Sequence, residues 1–144
     1  MTLLLIHALA TWFMIGLIWT IQTVHYPLFA LVGSGSFPSY EASHTRRMGW
    51  LLAIPAGVEV TTGAALVWVR PAPVSLDLVL VGGALLAVMW VITALIQVPL
   101  HRRLSSFWST HEIGQLVRSN WIRTGGWSVR GLLVIAMLSA ALTS

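Results

Sequence analysis

Four stretches of the chain run almost without polar side chains, at residues 3–24, 49–69, 76–98 and 125–142, and polar and basic residues gather in blocks between them. A helix crossing the hydrocarbon core of a bilayer needs about 20 predominantly apolar residues. Each stretch meets that length. The pattern therefore predicts an all-α integral membrane four-helix bundle, a single domain over residues 1–144. Pro27, Pro71, Pro73 and the loop "SSFWSTHE" punctuate the runs, since proline lacks the amide that a continuing helix would use. Ser36 is placed as an N-cap with Pro38 in the first turn. Helix two should thus start early, with "YEASHTRRM" as a helical extension outside the membrane. Ser109 and Glu112 form a capping-box pattern, which predicts a short amphipathic helix on that same side.

The third run closes on "ALIQVPLHRRL", where Gln97, Pro99 and His101 interrupt the Leu and Val that a spanning helix would continue with. The expectation is that Gln97 and His101 face inward. Pro99 should loosen the last turn and free carbonyls for Asn120 and Arg123 to bond. A faint echo links this segment to the end of helix one, "IQTVHYPL" against "IQVPLH", as a duplicated two-helix unit would leave.

Composition sharpens the class. The chain is 57% hydrophobic and 8% charged, with a mean hydropathy of +0.84, more apolar than a soluble domain needs. Eight Arg and no Lys face four acids. Arg46, Arg47, Arg102, Arg103, Arg118 and Arg123 fall in the connections on one side and Arg70 on the other, so the positive-inside rule puts both termini outside. The Arg blocks flank apolar runs rather than forming a stripe that could track phosphates, which argues against nucleic acid as a partner. Trp50, Trp108, Trp121 and Trp127 cluster near the basic boundary, as an interfacial aromatic belt predicts, and Trp68 marks the opposite one. There is no Cys, so disulfides and thiolate chemistry are excluded. The first run lacks a basic leader and stays apolar past "ALA" at 8–10, so it should remain as a helix rather than be cleaved.

This topology carries distant polar residues to one level. Helix one brings Gln22, His25 and Tyr26, the extension of helix two brings Glu41, His44 and Arg47, helix three ends in Gln97 and His101, and helix four starts with Asn120, Arg123 and Thr124. Glu41 with His44, Gln97 with His101, and Asn120 with Arg123 are spaced to share helix faces. An E-x-x-H pair facing His on other helices is how carboxylate metal sites are built in four-helix bundles. Only one such pair is present, so a di-iron centre is disfavoured. A mononuclear Cu, Fe or Zn site from His25, His44, His101 and Glu41 stays open, beside purely hydrogen-bonded or acid–base roles for the same residues. Haem between two His of different helices is permitted but not signalled. Gln97 and Tyr26 are candidates for holding a cofactor or flat ligand, and Asn120 and Arg123 for orienting a substrate, because Arg offers a planar donor fork and Asn both a donor and an acceptor.

Glu59 lies deeper, about 13 Å from the level of Trp50 at ~1.5 Å per helical residue. An unpaired charge there costs at least about 2.5 kcal/mol. Arg130, roughly 9 Å beyond Thr124 on helix four, is its expected partner, with His7, Thr11 or Thr62 as alternatives. The pair would either lock two helices together or leave Glu59 as a catalytic proton-carrying carboxylate. Gly125 and Gly126 are expected at a close helix contact or against a flat ligand.

"IQVPLHRRL" followed by "LVRSNWIRTGGWSVR" resembles an uncharacterised family of small bacterial four-helix membrane proteins, and more distantly the anthrone-oxygenase-like family. The matching positions are Val98, Pro99 and Leu100, then Asn120, Trp121, Arg123 and Thr124. His101 stands where the anthrone-oxygenase relatives place Asn. "VHYPLF" and "YEASHTRRM" resemble the closer bacterial set alone. The resemblance implies a four-helix fold with polar residues at one face, a bacterial inner-membrane location and, through some fungal relatives, oxygenation of polyketide anthrones. Two further classes stay open: a non-catalytic accessory subunit or assembly factor of a larger membrane complex, and a small transporter acting as an oligomer. The expected partners are the bilayer, a small apolar aromatic or quinone-like ligand, and other membrane subunits or further copies of the chain.

Overall fold

A bilayer offers no water to unpaired amides and carbonyls, so a chain this apolar satisfies its backbone within helices. The computed structural model describes residues 1–143, and four helices long and apolar enough to cross a membrane carry nearly all of them: α1, Thr2–Phe29; α2, Phe37–Val69; α3, Leu76–Leu104; and α4, Thr110–Leu142. Helices of 33 residues are roughly 50 Å long at ~1.5 Å per residue, well beyond a hydrocarbon core of about 30 Å. Both α2 and α4 therefore project past the apolar layer at the arginine-rich end. Ser36 precedes α2 and Pro38 sits in its first turn, as the sequence predicts. Ser109 caps α4 by accepting from the Glu112 amide at 3.3 Å. The short amphipathic helix expected there is not a separate element but the first turns of α4, because nothing after the cap interrupts its hydrogen bonding.

Pro27 and Pro99 do not end their helices, in contrast to the sequence expectation for Pro27. In α1 a π-helical turn over Ile21–His25 precedes Pro27, and in α3 one over Thr93–Gln97 precedes Pro99. Each turn ends two residues before its proline. The wider i→i+5 turn makes room where the ring would collide with a carbonyl one turn back, and it absorbs the bonding defect that proline creates. The echo between the two segments is thus one of backbone shape. In register with the prolines, His25 of α1 corresponds to Gln97 of α3.

The helices form an up-down ring in which α1 and α3 occupy opposite corners, each packed on α2 and α4. The seam between α2 and α3 is the most thinly packed. The outward faces are apolar: Trp50, Ile54, Trp68, Leu9, Leu95 and Leu132 are among the most exposed side chains, as contact with lipid requires. Trp50, Trp108, Trp121 and Trp68 fit an interfacial belt. Trp127 does not, for it is fully buried in the bundle.

The two glycines of α4 have separate roles. A Cβ on Gly126 would collide with the Met89 side chain of α3, whereas one on Gly125 has open space. Gly126→Leu is accordingly expected to cost about 1–3 kcal/mol by overpacking, and Gly125→Leu to stay within about 0.5 kcal/mol of the native protein. Thermal unfolding in detergent measures both. Equal losses would remove the close α3–α4 approach as the reason for Gly126.

Candidate functional site

Twelve polar or charged side chains are buried in the interior of the bundle among the described residues. Along α4, Asn120, Arg123, Thr124, Trp127 and Arg130 follow i, i+3 and i+4 spacing and all are buried, while Trp121, Ile122, Val129 and Leu132 point outward. This inverted amphipathy makes α4 the spine of two polar clusters.

The first cluster occupies the arginine-rich end. Asn120 donates to Gln22 Oε1 at 2.8 Å and accepts from Arg123 Nη1 at 2.9 Å, while Gln22 donates to the Val117 carbonyl at 3.4 Å. On the far side, Gln97 donates to Ser119 Oγ at 2.8 Å. Gln97 Oε1 accepts from the Tyr26 hydroxyl at 3.5 Å, and that hydroxyl also lies 3.1 Å from His101 Nε2. His101 Nδ1 is in direct contact with Glu41 Oε1. His25 Nε2 and His44 Nδ1 are 2.8 Å apart, and the rings of His44 and His101 are 5.5 Å apart at their centres. Gln97 and His101 face inward as expected. Asn120 and Arg123, however, do not bond carbonyls freed by Pro99; the π turn has absorbed that defect, and the two side chains bond Gln22 and each other instead.

All four sequence-predicted metal candidates meet here, but not equally. Glu41, His44 and His101 each offer a donor atom within 4.8 Å of the others. His25 stands outside this set, behind His44. Five buried side-chain atoms are left without a hydrogen-bond partner among the described residues, and two of them, Glu41 Oε2 and Arg123 Nε, belong to this cluster. Both point to something the protein groups alone do not satisfy.

A cavity of ≈ 600 Å³ opens beside the cluster, in the α2–α3 seam. Met48, Leu52, Ala53, Ala56 and Trp90 form apolar walls, and Tyr26, His44, Gln97, His101 and Arg123 supply its polar side. Asn120 does not line it and acts from behind Arg123. Ser119 and the apolar walls are not among the sequence-predicted site residues. Ser119, one residue before Asn120 and four after Gln115, had a helical-spacing signal. The walls had none, since Met48 or Leu52 reads as ordinary packing.

The second cluster lies deeper. Arg130 crosses the bundle diagonally to Glu59, with Nη2 at 3.1 Å and Nε at 3.4 Å from Oε1. It also donates to the Gly82 carbonyl and lies 3.4 Å from His7 Nε2. His7 Nδ1 is 2.9 Å from Thr62 Oγ1, and Trp127 donates to Glu59 Oε2 at 3.3 Å. The expected Glu59–Arg130 pair therefore forms, with His7 and Thr62 attached to it; Thr11 is buried but unbonded. Glu59 is remote from the His cluster, and the two are joined through Trp127, whose ring lies 5.3 Å beneath the Arg123 guanidinium. A second cavity of ≈ 350 Å³ reaches Arg130 and His7. Trp90 lines both cavities.

Comparison of the chain with family models, with curated proteins and with solved structures found no match.

Proposed function

We propose that this chain is an integral membrane oxidoreductase or oxygenase-like protein of a bacterial inner membrane that binds a flat, apolar aromatic or quinone-like molecule at its cytoplasmic side. The observation that carries the reading is the α2–α3 cavity, apolar along its walls and polar on one side, at the level of the arginine-rich boundary. Its volume is within the range of small-molecule sites. A ligand dissolved in the bilayer reaches the seam laterally. Its ring packs on Leu52, Ala56 and Trp90, and its carbonyl or hydroxyl oxygens accept from Arg123 and meet His101, Gln97 and Tyr26. The free Nε of Arg123 gives such an oxygen a donor with no other partner. Both ring nitrogens of His101 are engaged, by Glu41 and by the Tyr26 hydroxyl, so a proton passes between His101 and a ring oxygen by way of Tyr26, which also lines the cavity. The resemblance to anthrone-oxygenase-like proteins agrees with a polycyclic phenol or quinone, and His101 in place of Asn agrees with acid–base work at this position.

Quenching of tryptophan fluorescence by a short-chain naphthoquinone and by an anthrone tests the reading on detergent-purified protein. Saturable binding is expected, weakened at least tenfold by Arg123→Met and by Gln97→Leu. No saturable binding of either probe, or native affinity in both variants, would reject it. A second reading is favoured by the mutual bonding of Gln22, Asn120, Tyr26, Gln97 and Ser119: an accessory subunit whose polar cluster only ties helix ends together. Rejection of the first reading, with stability lost in these variants, supports it.

A further inference from the structure

We propose that Glu41, His44 and His101 form a mononuclear site for a divalent first-row transition-metal ion, with His25 as the group that orients His44. One carboxylate and two imidazoles within 4.8 Å of one another make the two-His, one-carboxylate donor set that suits Fe(II), Co(II) or Zn(II) and leaves coordination positions for other ligands. Donors around a tetrahedral ion, each at about 2.0–2.2 Å, stand about 3.4 Å apart, so side-chain rotation closes the set without movement of the helices. Glu41 and His44 share one face of α2 at i, i+3, and His101 comes from α3 across the seam.

Two features point to a ligand rather than to a self-contained hydrogen-bond network. Glu41 is fully buried, and its Oε2 has no partner; an ionised carboxylate is seldom left this way without a cation. His44 and His101 are also supported as ligating imidazoles are, each with its second nitrogen bonded to another side chain. With a proton on His44 Nδ1 donated to His25 Nε2, the His44 Nε2 lone pair is bare. An ion between His101 Nδ1 and Glu41 takes the place of their direct contact. His101 then carries its proton on Nε2 and donates it to the Tyr26 oxygen, which donates in turn to Gln97. His44 and His101 both line the larger cavity, so the open coordination positions face it.

Titration of chelator-stripped protein in detergent with Co(II), followed by visible absorption and by displacement with Zn(II), tests the site. His111 is exposed at the start of α4, and His111→Ala serves as the background that removes adventitious surface binding. One equivalent of metal per chain is expected, with affinity reduced at least 100-fold by His44→Ala or His101→Ala. Glu41→Gln, which keeps a hydrogen-bonding side chain beside His101, should lose at least tenfold, and His25→Ala about 10–100-fold. X-ray absorption of the loaded protein should report two imidazoles, falling to one in His44→Ala. The proposal is overturned by the absence of stoichiometric binding in the background protein, or by affinities that survive both His44→Ala and His101→Ala. Quinone or anthrone binding by the stripped protein is judged separately, so failure of the metal site and failure of the ligand site are distinguishable.

Discussion

Glu59→Gln is expected to destabilise the protein by about 3–5 kcal/mol, the range for breaking a buried ion pair from one side. Arg130 is almost wholly buried, and Glu59 is its only carboxylate partner among the described residues. The Gly82 carbonyl and His7 remain as neutral partners, and neither compensates a full charge in an apolar surround. The joint change Glu59→Gln with Arg130→Met removes the stranded charge and should recover most of the loss. Urea or thermal unfolding in detergent measures all three proteins. Recovery in the double variant marks the pair as a lock between opposite corners of the bundle. Full stability of Glu59→Gln alone, together with lost turnover of a bound quinone or anthrone, would instead make Glu59 a working acid or base and refute the structural assignment.

This pair was legible in the sequence because depth along a helix is a matter of counting. Residues placed by ~1.5 Å steps from two boundaries come within about 4 Å in depth, a gap that a long Arg side chain closes, and the cost of an unpaired intramembrane charge supplies the reason for them to meet. The buried face of α4 was legible in the same way, since Asn120, Arg123 and Thr124 repeat at helical spacing. The π turns were not. Proline reads as an end or a kink, and whether the helix continues depends on a widened turn that no residue type announces. Nor could spacing separate Glu41, His44 and His101 from His25, because His25 shares their level and differs only in the direction that α1 gives its ring. The cavity is the least legible feature of all. Its walls are Met, Leu, Ala and Trp, and space between two helices is fixed by how closely their backbones approach.

Asn120→Leu is expected to cost about 3 kcal/mol, although the substitution puts an apolar side chain into a membrane protein. Asn120 is fully buried and serves two neighbours at once, donating to Gln22 Oε1 and accepting from Arg123 Nη1. Leucine leaves an acceptor and a guanidinium unpaired, and each unsatisfied buried group costs about 1–3 kcal/mol, more where it is charged. Gln22→Leu together with Asn120→Leu should therefore remain destabilised, because Arg123 is still stranded above Trp127. Only the triple change that adds Arg123→Met removes every orphan, and it should regain most of the stability while lacking the quinone or anthrone affinity that Arg123 supplies. Unfolding in detergent and fluorescence quenching, run on the same four proteins, separate the two effects. If Asn120→Leu stays within about 0.5 kcal/mol of the native protein, the Gln22–Asn120–Arg123 chain is not what holds the helix ends. If the triple variant binds quinone like the native protein, Arg123 does not orient the ligand, and its place beside the cavity has another cause.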